Sequence, residues 1–141
     1  MPAAALVDTG AVVALFNALD PYHLAASHWF RDFRGQFLTT DAVVTETAYV
    51  LADIPVQQRA SLIWFERMRN AKLMRISPVP DYAAIVRIMQ RYADLRCDYA
   101  DATLVDLAER TDVVAIATVD QRDFSVYRAR GTKRFRILLA R

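Results

Sequence analysis

The sequence contains very little cysteine and no long hydrophobic run. Its single cysteine, Cys97, excludes an internal disulfide framework and favours a reducing compartment. No apolar run approaches the roughly 20 residues that a membrane-spanning helix needs. The N-terminus has no basic segment, and Asp8 interrupts its apolar stretch, so no signal peptide is predicted. These absences predict a soluble, cytoplasmic protein with no membrane partner.

A strong excess of one charge is also absent, because the formal net charge is only +2. Acidic residues are nearly all Asp, with only three Glu, and basic residues are nearly all Arg. Hydrophobic residues make up 55% of the chain and charged residues 24%, which is typical of an ordered globular protein. We expect one domain spanning residues 1–141, which is long enough to bury a core.

Short apolar runs alternate with helical patterns along the chain. Strands are predicted at residues 4–7, 36–39, 73–76, 113–118 and 134–139. Helices are predicted at residues 10–18, 21–34, 42–52, 56–70, 82–93 and 99–110, with one helical turn at 120–124. This alternation predicts a three-layer α/β/α domain with a central parallel sheet of about five strands in the order 3-2-1-4-5. Two consecutive helices between strands two and three form an extra helical hairpin.

Carboxylates follow two of the predicted strands. Asp8 ends the first strand and Asp120 follows the fourth, so both are expected at the sheet edge where α/β domains bind ligands. A buried carboxylate needs a partner, which makes Asp8 a costly residue for a core. Asp101 continues into the apolar stripe of its helix, and Glu46 has no basic neighbour in an otherwise apolar or small segment. We therefore expect the four acids to converge.

Other polar residues near these acids have simpler interpretations. Asp98 is expected to cap the helix that carries Asp101. Asp123, one turn after Asp120, is expected to have a capping or surface role. His23 and His28 lie five residues apart on the second helix, and we expect packing or surface roles for them rather than metal binding.

Four short motifs occur in a fixed order along the chain: Val7-Asp8-Thr9, Thr45-Glu46, the run from Asp98 through Asp101 to Val105, and Thr118-Val119-Asp120. Their order and spacing, together with the length and the helical hairpin, resemble PIN domains, in particular the VapC-type toxin ribonucleases of bacterial toxin–antitoxin pairs. The resemblance implies catalytic acids at Asp8, Glu46, Asp101 and Asp120, with Thr118 beside them. Asp98 departs from the small hydroxyl residue that is common at that position in the family.

The chemistry of the four acids points to a cation. Facing carboxylates do not all stay ionised without one, and a ligand set made only of oxygen favours Mg²⁺ or Mn²⁺. We expect Asp8, Asp101 and Asp120 to be direct ligands, and Glu46 either to bind a second metal or to orient water. Thr9, Thr118 and Asp98 are possible accessory residues. The resemblance implies an endoribonuclease whose products carry a 5′-phosphate and a 3′-hydroxyl.

Two further surfaces suggest partners. A basic run follows Asp120 and either contacts RNA phosphates or serves only solubility; it comprises Arg122, Arg128, Arg130, Lys133, Arg134 and Arg136. The fourth helix has more apolar residues than one buried stripe needs, which predicts a homodimer or an antitoxin contact, or else ordinary core.

Two other classes of function remain open at this stage. An aspartyl phosphotransferase or phosphatase-like domain would use Asp8 as nucleophile, but Gly10 stands where a dehalogenase-like site has its second Asp, and the paired acid and late Lys of a receiver-like site are not evident. A non-catalytic RNA-binding module would require a decayed site, whereas all four acids are present. The four acids favour the metal-dependent ribonuclease.

Overall fold

The computed structural model describes residues 3–95 and 97–139. Seven strands occur in this part of the chain: β1 (Ala4–Val7), β2 (Gln36–Thr40), β3 (Met74–Ser77), β4 (Ala115–Ala117), β5 (Arg128–Ala129), β6 (Lys133–Arg134) and β7 (Arg136–Ile137). Its α-helices are α1 (Thr9–Phe16), α2 (His23–Asp32), α3 (Asp41–Val50), α4 (Pro55–Asn70), α5 (Tyr82–Arg91), α6 (Tyr99–Thr111) and α7 (Gln121–Phe124). Among the described helices, none is long and apolar enough to cross a membrane.

The main sheet has five parallel strands in the order β3-β2-β1-β4-β7. This arrangement confirms the predicted order 3-2-1-4-5, with β7 as the fifth strand. Strand β1 lies at the centre, where Leu6 pairs with Leu38 on one side and with Ile116 on the other. A strand in this position is covered on both faces, which explains why β1 reads as a continuous apolar run.

Alternate residues of the central strands face two different cores. Leu6 and Leu38 pack with buried residues of α5 and α6, such as Ile88 and Leu104. Their neighbours Val7 and Phe37 face the other side of the sheet, where helices α1, α2 and α4 supply Val12, Phe30 and Phe65, among others. The alternation follows from the two-residue period of a strand. It confirms the three-layer α/β/α arrangement and fixes which helices flank the edge that carries Asp8.

The C-terminal region differs from the sequence prediction. The single strand predicted at 134–139 is divided into β6 and β7, with Phe135 buried between them. Strand β6 pairs antiparallel with β5, which was not predicted, through a turn at Arg130 and Gly131, both at positive φ. Strands of two residues are too short to show a two-residue alternation in the sequence, so the hairpin left no pattern to detect.

Helix α2 begins later than predicted. The sequence predicts this helix at residues 21–34, but the helix starts at His23. The Asp20 carboxylate instead accepts a hydrogen bond from the Tyr22 backbone N–H at 2.8 Å, which stabilises a turn before the helix. The His23 ring nitrogen Nδ1 lies 2.8 Å from the Ala14 carbonyl oxygen, which agrees with the expected packing role.

Candidate active site

Asp8 stands at the point where the carboxyl ends of β1 and β4 meet. Its backbone N–H donates to the Ala117 carbonyl at 3.0 Å, and its side chain caps α1 by accepting from the Thr9 N–H at 2.8 Å. The second carboxylate oxygen accepts from the Thr118 hydroxyl at 2.7 Å. Asp8 is only 5% exposed. Both oxygens are therefore held in place by the two strand ends.

Thr118 links two of the predicted acids. Its hydroxyl donates to Asp8 at 2.7 Å and accepts from the backbone N–H of Asp120 at 2.9 Å. The side chain is fully buried, so no water competes for these bonds. The position of this hydroxyl thus sets the spacing between the Asp8 carboxylate and the loop that carries Asp120.

Asp101 is held from two directions. Asp98, the N-cap of α6, accepts from the Asp101 backbone N–H at 2.8 Å, as its predicted capping role requires. The Tyr127 hydroxyl donates to the Asp101 carboxylate at 3.1 Å. Tyr127 is fully buried and packs against Tyr92 and Phe124. Sequence reasoning missed Tyr127, because a lone aromatic residue before a two-residue strand carries no recognisable pattern.

Asp123 is closer to the site than the sequence suggested. Oxygen atoms of Asp101, Asp120 and Asp123 lie within 4.8 Å of one another, and Asp123 is half-buried rather than at the surface. Its backbone N–H donates to the Asp120 carboxylate at 3.0 Å, which caps α7. The spacing of three residues at a helix start places both side chains on one face, and that signal indicates the fifth acid.

These acids line one open cleft of about 350 Å³. Among the described residues around it, none is Lys or Arg. The polar residues that line it are Asp8, Thr9, Asp20, Glu46, Asp98, Asp101, Asp120 and Asp123. The structure thus brings together all four acids and the accessory residues Thr9 and Asp98, while Thr118 is buried behind Asp8. Asp20 completes the rim from the loop before α2.

Burial and mutual repulsion hold protons on this cluster in the absence of metal. Burial raises the pKa of Asp8 to about 7, with smaller contributions from the charges of Glu46 and Asp120, against hydrogen bonds from Thr118 and Thr9 that lower it. Burial likewise raises the pKa of Asp101 to about 8, helped by the charges of Asp8 and Asp98. The pKa of Glu46 is raised by burial and then by Asp98. A cation bound at the cluster would offset both the cost of burying these carboxylates and their mutual repulsion.

The residues present fit a hard divalent cation. All the charged donors in the cleft are carboxylate oxygens, and no described His or Cys lines it. The buried Thr9 hydroxyl lies beside the Glu46 carboxylate, and its hydrogen bond to that carboxylate opposes the rise in the pKa of Glu46.

The basic run after Asp120 divides into two groups. Three of its side chains hold the β5–β6 hairpin in place: Arg128 donates to backbone carbonyls of residues 125–127, Arg130 to Glu109, and Lys133 to Asp112. The exposed side chains of Arg122, Arg134 and Arg136 make no such hydrogen bond within the described part of the chain. Much of the basic run is thus structural.

Asp106 lies away from Asp101 on α6. It is buried, and its carboxylate accepts a hydrogen bond from Arg110 at 2.8 Å. The pair lies one helical turn apart, so the arginine that follows supplies the charge which burial demands. Cys97 is a buried free thiol.

Three comparisons with known proteins bear on the family and the fold. The family model of the PIN domain matches residues 5–129. Ribonuclease VapC26 of Mycobacterium tuberculosis (strain ATCC 25618 / H37Rv) is 29% identical over 133 residues, covering 94% of this chain and 98% of that protein. The crystal structure of Mycobacterium tuberculosis VapC20, described as a sarcin-ricin loop cleaving toxin, superposes with a TM-score of 0.73 at 20% identity. That superposition covers 84% of this chain and 91% of the other.

Proposed function

This chain belongs to the PIN-domain family, and from that premise we propose that it is a divalent-metal-dependent endoribonuclease, the toxin of a toxin–antitoxin pair. Residues 1–141 would form a single nuclease domain acting in the cytoplasm. The observation that carries the proposal is the convergence of Asp8, Asp101 and Asp120 in one cleft where β1 and β4 end. A relative of matching length that bears the name ribonuclease supports it.

Asp8, Asp101 and Asp120 are proposed to hold Mg²⁺ or Mn²⁺, with Asp123 and Glu46 facing the same cleft. When bound, such an ion activates water and neutralises charge that develops on the phosphate oxygens during hydrolysis of a phosphodiester. The raised pKa values of Asp8 and Asp101 mean that these two carboxyl groups release protons as the metal binds. Metal affinity should therefore rise steeply between pH 6 and 8.

The remaining polar residues would orient the ligands and the water. Thr118 fixes Asp8 against the Asp120 loop, and Tyr127 fixes Asp101. Glu46 is half-buried beside Thr9, and its pKa is raised, so it is suited to accept a proton from the attacking water. Asp98 caps α6 and keeps negative charge next to Glu46.

RNA, an antitoxin and a second copy of the chain are the proposed partners. The exposed Arg122, Arg134 and Arg136 are candidates for phosphate contacts, since the other cations of the run hold the hairpin. Exposed apolar side chains on α4, among them Leu62 and Ile63, offer a surface for a partner protein or for dimerisation.

An aspartyl phosphotransferase is not favoured. Its nucleophile would be Asp8, and Gly10 stands where a dehalogenase-like site has its second Asp. A receiver-like or dehalogenase-like site also leaves the grouping of Asp101, Asp120 and Asp123 without a role.

The test is cleavage of a labelled RNA stem-loop with single-stranded tails. Wild-type protein should cleave it with Mg²⁺ or Mn²⁺ and stop in EDTA, and Asp8→Asn, Asp101→Asn and Asp120→Asn should each remove most activity. Asp53→Asn, in the exposed turn between α3 and α4, is the matched control and should keep full activity. Full cleavage in EDTA, or by any of the three cluster variants, would contradict the proposal.

A further inference from the structure

A second cavity adjoins the acid cleft and is larger, at about 630 Å³. It lies among α3, the segment after β3, and the first residues of α5 and α6. Glu46 and Asp98 line both cavities, so the two share a wall. A molecule that is held at the acids can therefore extend directly into this second space.

Three tyrosines surround the second cavity, which we call the tyrosine pocket: Tyr49 from α3, Tyr82 from α5 and Tyr99 from α6. Their exposed fractions are 80%, 70% and 42%. None of them stacks on another aromatic ring of the described residues. Burial raises the pKa of Tyr99, and the nearby Tyr82 and Asp41 add to this effect, so phenol groups and a carboxylate converge at the opening. Three exposed aromatic side chains around one cavity offer stacking surfaces to a planar ligand.

The charge of the tyrosine pocket argues against a phosphate as its occupant. Its charged lining residues are Asp41, Glu46 and Asp98, and no Lys or Arg is found among the described residues that line it. Carboxylates accept hydrogen bonds, so they favour a ligand with amino groups; Asp and Glu pair in this way with the exocyclic amine of cytosine. The rest of the wall is mostly apolar, from Ala42, Pro78, Val79 and Ala100. A nucleobase fits such a site, because it is planar, apolar on its faces and carries amino groups at its edge.

We propose that the tyrosine pocket binds an unpaired nucleobase of the RNA substrate, from a nucleotide next to the phosphate that is cleaved. The base stacks on the tyrosines, and its exocyclic amino group donates a hydrogen bond to the Asp41 carboxylate. Adenine, cytosine or guanine is therefore preferred over uracil at that position. The proposal rests on the ribonuclease function, because the phosphate held at the acids is what brings the base to the pocket. The residues of the tyrosine pocket would thus select the position at which the RNA is cleaved.

The test uses single-stranded RNA oligonucleotides in which one abasic nucleotide is moved stepwise past the mapped cleavage site. For wild-type protein with Mn²⁺, the abasic residue should lower kcat/KM by about tenfold to a hundredfold at one position only. In Tyr82→Ala and Tyr49→Ala, kcat/KM for the intact RNA should fall by a similar factor, and the penalty of that one abasic position should disappear. Leu24→Ala removes an equally exposed side chain from α2 and should change neither quantity. Melting curves verify that the variants fold.

Base preference gives a second readout. Asp41→Asn should reduce the discrimination against uracil at the same position by about tenfold while retaining the abasic penalty, because stacking is unchanged. If the protein cleaves RNA but no position has an abasic penalty that depends on Tyr82 or Tyr49, the tyrosine pocket is not a base site. The ribonuclease function would then remain intact. Loss of affinity for a partner protein in the tyrosine variants, with unchanged RNA cleavage, would likewise overturn the base site in favour of protein docking. Absence of all cleavage by the wild type would overturn both proposals.

Discussion

At the scale of single residues, Asp8 combines two opposing demands. Two hydrogen bonds hold its carboxylate, but burial raises its pKa to about 7. Because the folded pKa lies above the unfolded value of 3.8, the native state keeps a proton that the unfolded chain has lost. The contribution of Asp8 to the free energy of unfolding is therefore full below about pH 4 and is lost as pH rises through 7. Asp101 acts in the same direction up to about pH 8.

The Asp8→Asn variant tests this balance. It removes the buried charge with little change of shape, so the metal-free variant should be more stable than wild type at pH 8 by about 1–3 kcal/mol, first because a charge is no longer buried and second because Glu46 and Asp120 no longer repel it. At pH 5, where Asp8 is protonated in the native state, the two should melt alike. Thermal unfolding at both pH values measures the difference. A variant that melts below wild type at pH 8 would show that Asp8 is a structural residue instead.

Tyr127 is predicted to act through Asp101 rather than on RNA. Tyr127→Phe removes the hydroxyl that donates to the Asp101 carboxylate, which should raise the pKa of Asp101 further and weaken Mn²⁺ binding about tenfold at pH 7. Tyr92→Phe is the matched control, because its hydroxyl bonds to the Arg128 backbone and does not contact an acid. Calorimetric titration with Mn²⁺ distinguishes the two. Equal Mn²⁺ affinities in both variants would refute the positioning role.

How far the site was predictable differs from residue to residue. Asp8 and Asp120 were predictable because each follows an apolar strand, and parallel strands end at one edge. Tyr127 depends on a tertiary contact across 26 residues of sequence, which no periodicity encodes. Asp123 was given only a capping or surface role, because an acid at a helix start has an adequate local interpretation. Its spacing of three residues from Asp120 places the two side chains on one face, but its closeness to Asp101 is a tertiary contact.

At the scale of secondary-structure elements, the approach of α1 to the loop after β4 depends on Gly10. A Cβ atom at Gly10 would lie 2.5 Å from Val119 Cγ2, so any larger residue would push Asp8 and Asp120 apart. Gly10→Ala should lower stability by about 1–3 kcal/mol, as overpacking does, and reduce cleavage strongly. Gly10→Ala combined with Val119→Ala should recover much of both. Melting curves and RNA cleavage assays are compared for the single and the double variant. If the double variant recovers neither stability nor cleavage, the contact with Val119 is not the cause of the loss.

Sequence patterns predicted the elements of the main sheet better than those of the C-terminal region. Strands β1 to β4 are apolar runs separated by long helices, so their existence and parallel pairing follow from burial and from the handedness of the crossovers. The β5–β6 hairpin is held by Arg130 and Lys133, which bond to Glu109 and Asp112 at the end of α6. Such polar contacts between distant segments have no local signature, and the sequence therefore offered only RNA contact or solubility as roles for the basic run.

At the scale of the whole molecule, the exposed apolar side chains of α4 predict a homodimer. The helix buries Phe65, but leaves Leu62 40% and Ile63 51% exposed. Sedimentation at tens of micromolar should give twice the chain mass of 16.0 kDa, and Leu62→Glu with Ile63→Glu should give the monomer. Leu24→Glu on α2 should leave the dimer intact. A wild-type monomer at this concentration would argue that α4 faces only the antitoxin or solvent.

The acids at the ends of β1 and β4 are proposed to form a metal site. Anomalous diffraction from a crystal soaked with Mn²⁺ at pH 8, above the raised pKa values of Asp8 and Asp101, locates the ion directly. We expect a peak about 2.1–2.3 Å from carboxylate oxygens of Asp101, Asp120 and Asp8. A cleft without a peak, when Mn²⁺ is ordered on exposed carboxylates elsewhere in the same crystal, would contradict it.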